Sequence, residues 1–187
     1  LYRGSDGGAG EIGHTTIITG DAYPCRCGNS GCLEALVAEP TIVRLAEELA
    51  RHDRKGLLAR HLGDGQGSAM DRVFSAARAG DLVTCIMLRE RARYMGIALA
   101  NLVNVFNPEL IVLGGIFEQG QDLLLPTTES VMRQRAFGHL GQQVKLRPTS
   151  FGRQAGAIGA AALALNAFFY QQDEMRSSNQ DLLKAIA

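Results

Sequence analysis

The feature that most constrains this chain is a short stretch, residues 7–34, in which one histidine and three cysteines lie close together. The four residues are His14, Cys25, Cys27 and Cys32. Zinc in structural sites takes four ligands in a tetrahedron, and three cysteines with one histidine form one of its usual ligand sets. The stretch therefore predicts a zinc-binding knuckle around which the neighbouring chain must fold.

Disulfide bonds are the alternative use of these cysteines. Three clustered thiols cannot all pair with one another, and Cys25 and Cys27, separated only by Arg26, are poorly placed for an unstrained bridge. Gly28 and Gly31 instead let the backbone fold back and bring the third cysteine to the other two. Cysteines used for zinc rather than for disulfides indicate a reducing environment, so we expect a cytoplasmic protein.

Composition narrows the possible partners. The chain has 187 residues, 46% of them hydrophobic, which is ample for a buried core. It carries 19 basic and 19 acidic residues, and a formal net charge of zero argues against a nucleic-acid-binding face within these residues. The sequence contains no apolar stretch long enough to span a bilayer, so we expect no membrane partner.

The order of motifs in the stretch resembles the signature of the ROK family, named for repressors, open reading frames and sugar kinases. The matching segments are Glu-Ile-Gly-His at residues 11–14, Cys-Arg-Cys-Gly at 25–28 and Gly-Cys-Leu-Glu at 31–34. The resemblance extends less sharply to the last long helix, through a Gly-Gly pair at 114–115. Within the family, the chain is most similar to sugar-responsive regulators of the NagC type.

The resemblance implies an α/β fold of the actin-like ATPase class, shared by sugar kinases and ribonuclease H, with the zinc knuckle beside a sugar pocket. It also implies that Glu11, His14 and Glu34 contact sugar hydroxyls. An imidazole that gives one nitrogen to zinc keeps the other as an oriented donor, and carboxylates accept from hydroxyls. The implied ligand is a sugar or amino sugar, either free or phosphorylated.

Compared with the family, the chain is expected to be the C-terminal half of the fold. Residues 1–187 would form one effector domain that binds sugar and forms homodimers, with the knuckle within residues 11–34. A phosphate-binding loop, a catalytic aspartate and any DNA-binding domain would precede Leu1. Contact with DNA would therefore run only through that preceding domain, and the chain itself is expected to contain no catalytic residue.

Two functional hypotheses follow, and the signature is common to both. The first is a sugar-responsive transcriptional regulator, which the apolar closing helix favours by resemblance. The second is an ATP-dependent kinase of glucose or an N-acetylhexosamine, in which Gly114 and Gly115 would lie against the nucleotide and Mg²⁺ would accompany ATP. A Gly-Gly pair by itself is a weak signal; directly after a predicted strand it is as typical of a nucleotide contact as of a tight strand-to-helix turn. A third possibility is a zinc-stabilised fragment that binds no ligand.

Hydrophobic spacing predicts mostly helices around a small sheet. Asp81 is predicted to cap a long helix that ends near Phe106, and three arginines on it (Arg89, Arg91 and Arg93) are interpreted as an exposed face. The apolar run 110–113 predicts a strand buried on both faces. The remaining predictions are helices from Pro40, over 70–79 and over 122–136, a strand around 144–146, strand-like backbone over 15–19, and a last long helix after Gly152.

Overall fold

A computed structural model describes residues 2–20 and 23–170. The chain divides into two compact units, the first ending at Pro148 and the second beginning at Thr149. The predicted domain of residues 1–187 therefore extends beyond the described part. Within that part, no helix is both long and apolar enough to cross a membrane.

Helices dominate the first unit. They are α1 (Leu33–Val37), α2 (Glu39–His52), α3 (Leu57–Gly63), α4 (Ala69–Arg78), α5 (Leu82–Phe106), α6 (Ile116–Gln119), α7 (Gln121–Arg135) and α8 (Leu140–Gln143). The predictions for α2, α4, α5 and α7 are confirmed to within one or two residues at each end. The short helices α1, α3, α6 and α8 were not predicted, because four to seven residues carry too little periodicity to be recognised.

Helix α5 is the longest element, and both of its ends have local causes. The Asp81 carboxylate accepts a hydrogen bond from the backbone N–H of Thr84 at 2.8 Å, which confirms the predicted N-cap. At the other end Asn107 adopts a left-handed conformation with φ of 43°. Asparagine tolerates this conformation better than most residues, and Pro108 follows it, so the helix stops there.

The main hydrophobic core lies where α5 packs along α7, with α2, α3 and α4 around them. Phe74, Leu88 and Met132 are among its fully buried side chains. Two polar contacts fix the register of the helices: Thr128 Oγ1 donates to the carbonyl of Ala92 at 3.2 Å, and Arg78 on α4 pairs with the Asp122 carboxylate at the start of α7. A second, smaller cluster packs α1 against the middle of α5; its buried members are Leu33, Leu36, Val37, Tyr94 and Ala98.

The sheet of the first unit has two parallel strands, β1 (Leu110–Leu113) and β2 (Lys145–Pro148). Both strands were predicted, but the prediction that β1 is buried on both faces is wrong. Leu110 and Val112 are 49% and 57% exposed, whereas Leu113 faces the core. Successive side chains of a strand point to opposite faces, and no described element covers the face that carries Leu110 and Val112.

The second unit contains the last predicted helix. A 3₁₀ turn (Gly152–Gln154) leads into α9 (Ala155–Leu165), and a π-helical turn (Asn166–Tyr170) follows. The helix is built largely of alanine, glycine and leucine, and its leucines at 163 and 165 are about half exposed.

Candidate functional site

The knuckle is built from two short backbone bridges rather than from regular strands. Thr16 pairs with Cys32, and Pro24 pairs with Ser30, both in antiparallel fashion. Between the second pair, the Cys25 N–H donates to the Asn29 carbonyl at 2.8 Å and closes a tight loop. The strand predicted over 15–19 is thus reduced to one bridge, because the chain turns after each pairing instead of continuing a ladder.

Gly31 is the residue on which this folding depends. Its φ is +69°, and a Cβ added there would lie 1.9 Å from the backbone oxygen of Ile18. The same residue accepts from the Ile17 N–H at 2.8 Å and donates to the Tyr23 carbonyl at 2.9 Å. Only glycine fits such a conformation with the backbone of residue 18 so close.

The predicted ligand atoms converge. The Nδ1 of His14 lies 3.6 Å from the Cys25 Sγ, and the sulfurs of Cys27 and Cys32 are 3.7 Å apart. All four ligand atoms lie within 4.8 Å of one another. All three thiols are free, and the 3.7 Å between two of them is far longer than the roughly 2.0 Å of a disulfide.

Two of the six separations between the ligand atoms match the edges of a zinc tetrahedron. Metal–sulfur bonds of about 2.3 Å and a metal–nitrogen bond of about 2.05 Å give edges of about 3.8 Å between sulfurs and 3.6 Å between sulfur and nitrogen. The observed 3.7 Å and 3.6 Å agree with both values. The donor set and these two separations therefore suit zinc.

The thiols differ in how readily they ionise. Burial, followed by hydrogen bonds with the neighbouring thiols, raises the pKa of Cys32 to about 11. The backbone N–H of Asn29, followed by the contact with Cys25, lowers the pKa of Cys27. Because zinc binds the thiolate, a metal entering this site must displace the proton of Cys32.

The imidazole of His14 is oriented for two tasks. His14 is the last residue of a 3₁₀ turn, Ile12–His14. The Thr15 hydroxyl closes this turn by donating to the Ile12 carbonyl at 2.7 Å. The Nδ1 of His14 faces the cysteines, while its Nε2 lies 3.8 Å from the Glu11 carboxylate. One ring nitrogen is therefore available to the metal and the other faces the surface next to Glu11.

Glu34 lies in the first turn of α1, which starts directly after Cys32. Its carboxylate is held by Arg26: the guanidinium Nε is 2.8 Å from Oε1, and Nη2 donates to Oε2 at 3.3 Å. Gly13 lies on another side of this carboxylate, since a Cβ added there would be 3.5 Å from Oε2. Arg26 was read from the sequence only as a spacer between two cysteines. Its role depends on how the loop folds, which the spacing does not reveal.

Arg91 is a second residue whose contacts near the knuckle the sequence did not predict. The prediction of an exposed face for this arginine is wrong: it is buried, donates to the Leu36 carbonyl of α1 at 3.2 Å, and pairs with Glu90. Burial of Glu90 opposes its ionisation, but hydrogen bonds from Arg91 and Tyr94 outweigh that effect and lower its pKa. The network ties α1 to α5. The available sequence signal was that position 91 shares a helical face with the apolar residues at 88, 95 and 98.

The Gly-Gly pair lies where the sequence predicted it, at the carboxyl end of β1 and directly before α6. Gly115 has φ of +65° and donates its N–H to the Glu118 carboxylate at 3.3 Å. This positive φ confirms that the pair forms a strand-to-helix turn requiring glycine.

Comparison with known proteins finds relatives that match most of the chain. A model of the ROK family matches residues 1–167. A glucokinase of Halalkalibacterium halodurans is 35% identical over 96% of this chain, and a xylose repressor of Caldicellulosiruptor bescii is 33% identical over 89% of it. A ROK family glucokinase from Streptomyces griseus, solved with glucose and AMPPNP, superposes with a TM-score of 0.72 and 32% identity over 87% of the chain.

These proteins are considerably longer than the chain. It spans 53% of the Halalkalibacterium glucokinase, 41% of the xylose repressor and 53% of the Streptomyces glucokinase. The fold is thus the α/β, actin-like fold of the sugar kinases, of which this chain accounts for about half. Repressors and kinases both match this region of the chain.

Proposed function

Because the chain belongs to the ROK family, we propose that it is the sugar-binding, dimerising C-terminal part of a zinc-containing ROK protein, and that the whole protein is a sugar-responsive transcriptional regulator. Glu11, His14 and Glu34 are the proposed sugar contacts. Zinc, held by His14 and the three knuckle cysteines, is the proposed structural metal. The ligand is a sugar or amino sugar, free or phosphorylated, and the free thiols suit a reducing cytoplasm.

The observation that supports this proposal is that the proposed sugar contacts lie among or next to the proposed metal ligands. His14 belongs to both groups, Glu11 lies 3.8 Å from its imidazole, and Glu34 follows Cys32 by two residues. A metal that fixes the imidazole and the start of α1 would orient these polar groups before a ligand arrives. Preorganised acceptors of this kind suit a ligand with several adjacent hydroxyl groups.

The alternative is an ATP-dependent sugar kinase, and the 35% identity to a glucokinase over 96% of the chain favours it. In that reading Gly114 and Gly115 contact the nucleotide, with Mg²⁺ bound to its phosphates. Transfer of a phosphoryl group also needs a base near the attacking hydroxyl and a cradle for the phosphates. We propose that both lie in a part of the protein outside this chain.

Removing the charge of Glu34 tests the proposed sugar contact. We expect Glu34→Gln to weaken sugar binding about 5-fold to 150-fold, because an unmatched buried hydroxyl donor costs about 1–3 kcal/mol. The measurement is calorimetric titration of the complete protein with D-glucose, D-xylose and N-acetyl-D-glucosamine. Glu48→Gln, which removes another carboxylate paired with an arginine on α2, should leave the affinity unchanged. Equal affinities for Glu34→Gln and wild type would remove Glu34 from the site.

Assays of the complete protein distinguish the regulator from the kinase. A regulator should bind a specific DNA operator in the absence of sugar, and Glu34→Gln should raise the sugar concentration needed to release it without changing operator affinity. A kinase should instead show sugar-dependent ATP turnover, which the same substitution should slow. Specific DNA binding without turnover supports the regulator. Turnover without DNA binding overturns it in favour of the kinase.

A further inference from the structure

The ion pair between Arg26 and Glu34 occupies the atoms that a sugar would need. Both carboxylate oxygens of Glu34 are engaged, one by the guanidinium Nε at 2.8 Å and the other by Nη2 at 3.3 Å. The Nη2 contact is a hydrogen bond, and the Nε contact is an ion pair. A hydroxyl that donates to Glu34 must therefore share or replace these contacts.

The two partners differ in their surroundings. The side chain of Arg26 is 80% exposed, whereas that of Glu34 is 33% exposed. Releasing the arginine into water costs little, because its guanidinium is already largely hydrated. The Glu34 carboxylate lies at the start of α1 with Gly13 beside Oε2. It can therefore exchange the guanidinium for a ligand hydroxyl with little movement of its own.

We propose that Arg26 sets the sugar affinity of this protein by pairing with Glu34 when no ligand is bound, so that sugar hydroxyls compete with the guanidinium for one carboxylate. This inference rests on the proposed role of Glu34 as a sugar acceptor. It also makes the affinity depend on ionic strength, because salt weakens an exposed ion pair but hardly affects hydrogen bonds to a neutral sugar. Higher salt weakens the ion pair between Arg26 and Glu34 and therefore raises the affinity for a neutral sugar.

The test is to remove the guanidinium while keeping the length of the side chain. In the complete, zinc-loaded protein, Arg26→Met should bind the preferred neutral sugar among D-glucose, D-xylose and N-acetyl-D-glucosamine more tightly than wild type, by up to about fivefold. Wild-type affinity should rise between low and high sodium chloride, and the affinity of Arg26→Met should stay constant. Zinc content, measured in parallel, ensures that the variant is compared with its knuckle intact.

Arg44→Met is the matched control, because it removes another exposed arginine that pairs with a glutamate, at 2.7 Å on α2. It should change neither the affinity nor its dependence on salt. Unchanged or weaker binding by Arg26→Met would overturn the inference, and weaker binding would instead make Arg26 a direct contact or a support for Glu34. If wild type binds neither the three sugars nor their phosphorylated forms, the proposed function fails and the inference with it. The wild-type titration and the variant titration therefore separate the two failures.

Discussion

Cys27→Ser is expected to abolish stoichiometric zinc binding. A serine hydroxyl is a poor substitute for a thiolate, and the two sulfurs at 3.7 Å show that Cys27 is an integral corner of the cluster. Loss of groups that merely support a ligand typically weakens metal binding by about 10-fold to 100-fold, so loss of a ligand should weaken it by more than about 100-fold. Atomic absorption of protein purified without chelator should then fall from one zinc per chain to a small fraction.

The chain provides its own control for this change. Cys85→Ser removes a thiol that lies on α5, away from the cluster, where its Sγ donates to the carbonyl of Ala77 at 3.4 Å. This variant should retain one zinc per chain. The core around α5 and α7 should remain folded in both variants, because its buried residues form a cluster separate from the one beside the knuckle. The proposed metal site would be contradicted if wild-type protein purified without chelator contained no zinc. It would also be contradicted if Cys27→Ser retained one zinc per chain.

Gly31→Ala should destabilise the knuckle nearly as severely as Cys27→Ser does, although it changes no proposed metal ligand. The added Cβ would lie 1.9 Å from the backbone oxygen of Ile18, and its φ of +69° is unfavourable for alanine. Backbone strain of about 1–2 kcal/mol and overpacking of about 1–3 kcal/mol add to roughly 2–5 kcal/mol. We expect weaker zinc retention in competition with a chelator and a lower Tm of the knuckle.

Gly28→Ala separates the two contributions. Gly28 also has a positive φ, of +91°, but a Cβ added there meets nothing within 4 Å. It should therefore show only the strain, about 1–2 kcal/mol, and retain zinc more firmly than Gly31→Ala. Equal losses for the two substitutions would show that the close approach of Ile18 is unimportant.

The sequence was sufficient to predict that His14, Cys25, Cys27 and Cys32 come together, because the choice of metal ligands depends on residue type and spacing. Three cysteines and a histidine restrict the possible metals, and two intervening glycines permit the required turns. The polar contacts around the cluster were harder to predict. Arg26 reaches Glu34 only because the 25–29 loop closes on itself, and Arg91 reaches the Leu36 carbonyl only because α1 docks on α5. Both contacts depend on tertiary packing.

The same distinction applies to the fold. The Asp81 cap and the long helix after it were predictable because capping and periodicity act over a few residues. The exposure of β1 was not, because the apolar run at residues 110–113 encodes a strand and says nothing about which neighbours cover it. The burial of Arg91 was also not predictable, because charged residues are usually exposed. The cost of burying its charge is offset by the ion pair with Glu90, which Tyr94 also contacts, and by the hydrogen bond to the carbonyl of residue 36.

Zinc is proposed to hold the sugar-binding groups in place, and a sugar titration of the complete protein before and after removal of the metal tests this dependence. Zinc-loaded protein should bind at least one of D-glucose, D-xylose and N-acetyl-D-glucosamine. Removal of zinc with a chelator should abolish that binding, since His14 and the start of α1 lose their anchor, and added zinc should restore it. Unchanged affinity in protein verified to be free of zinc would contradict the account.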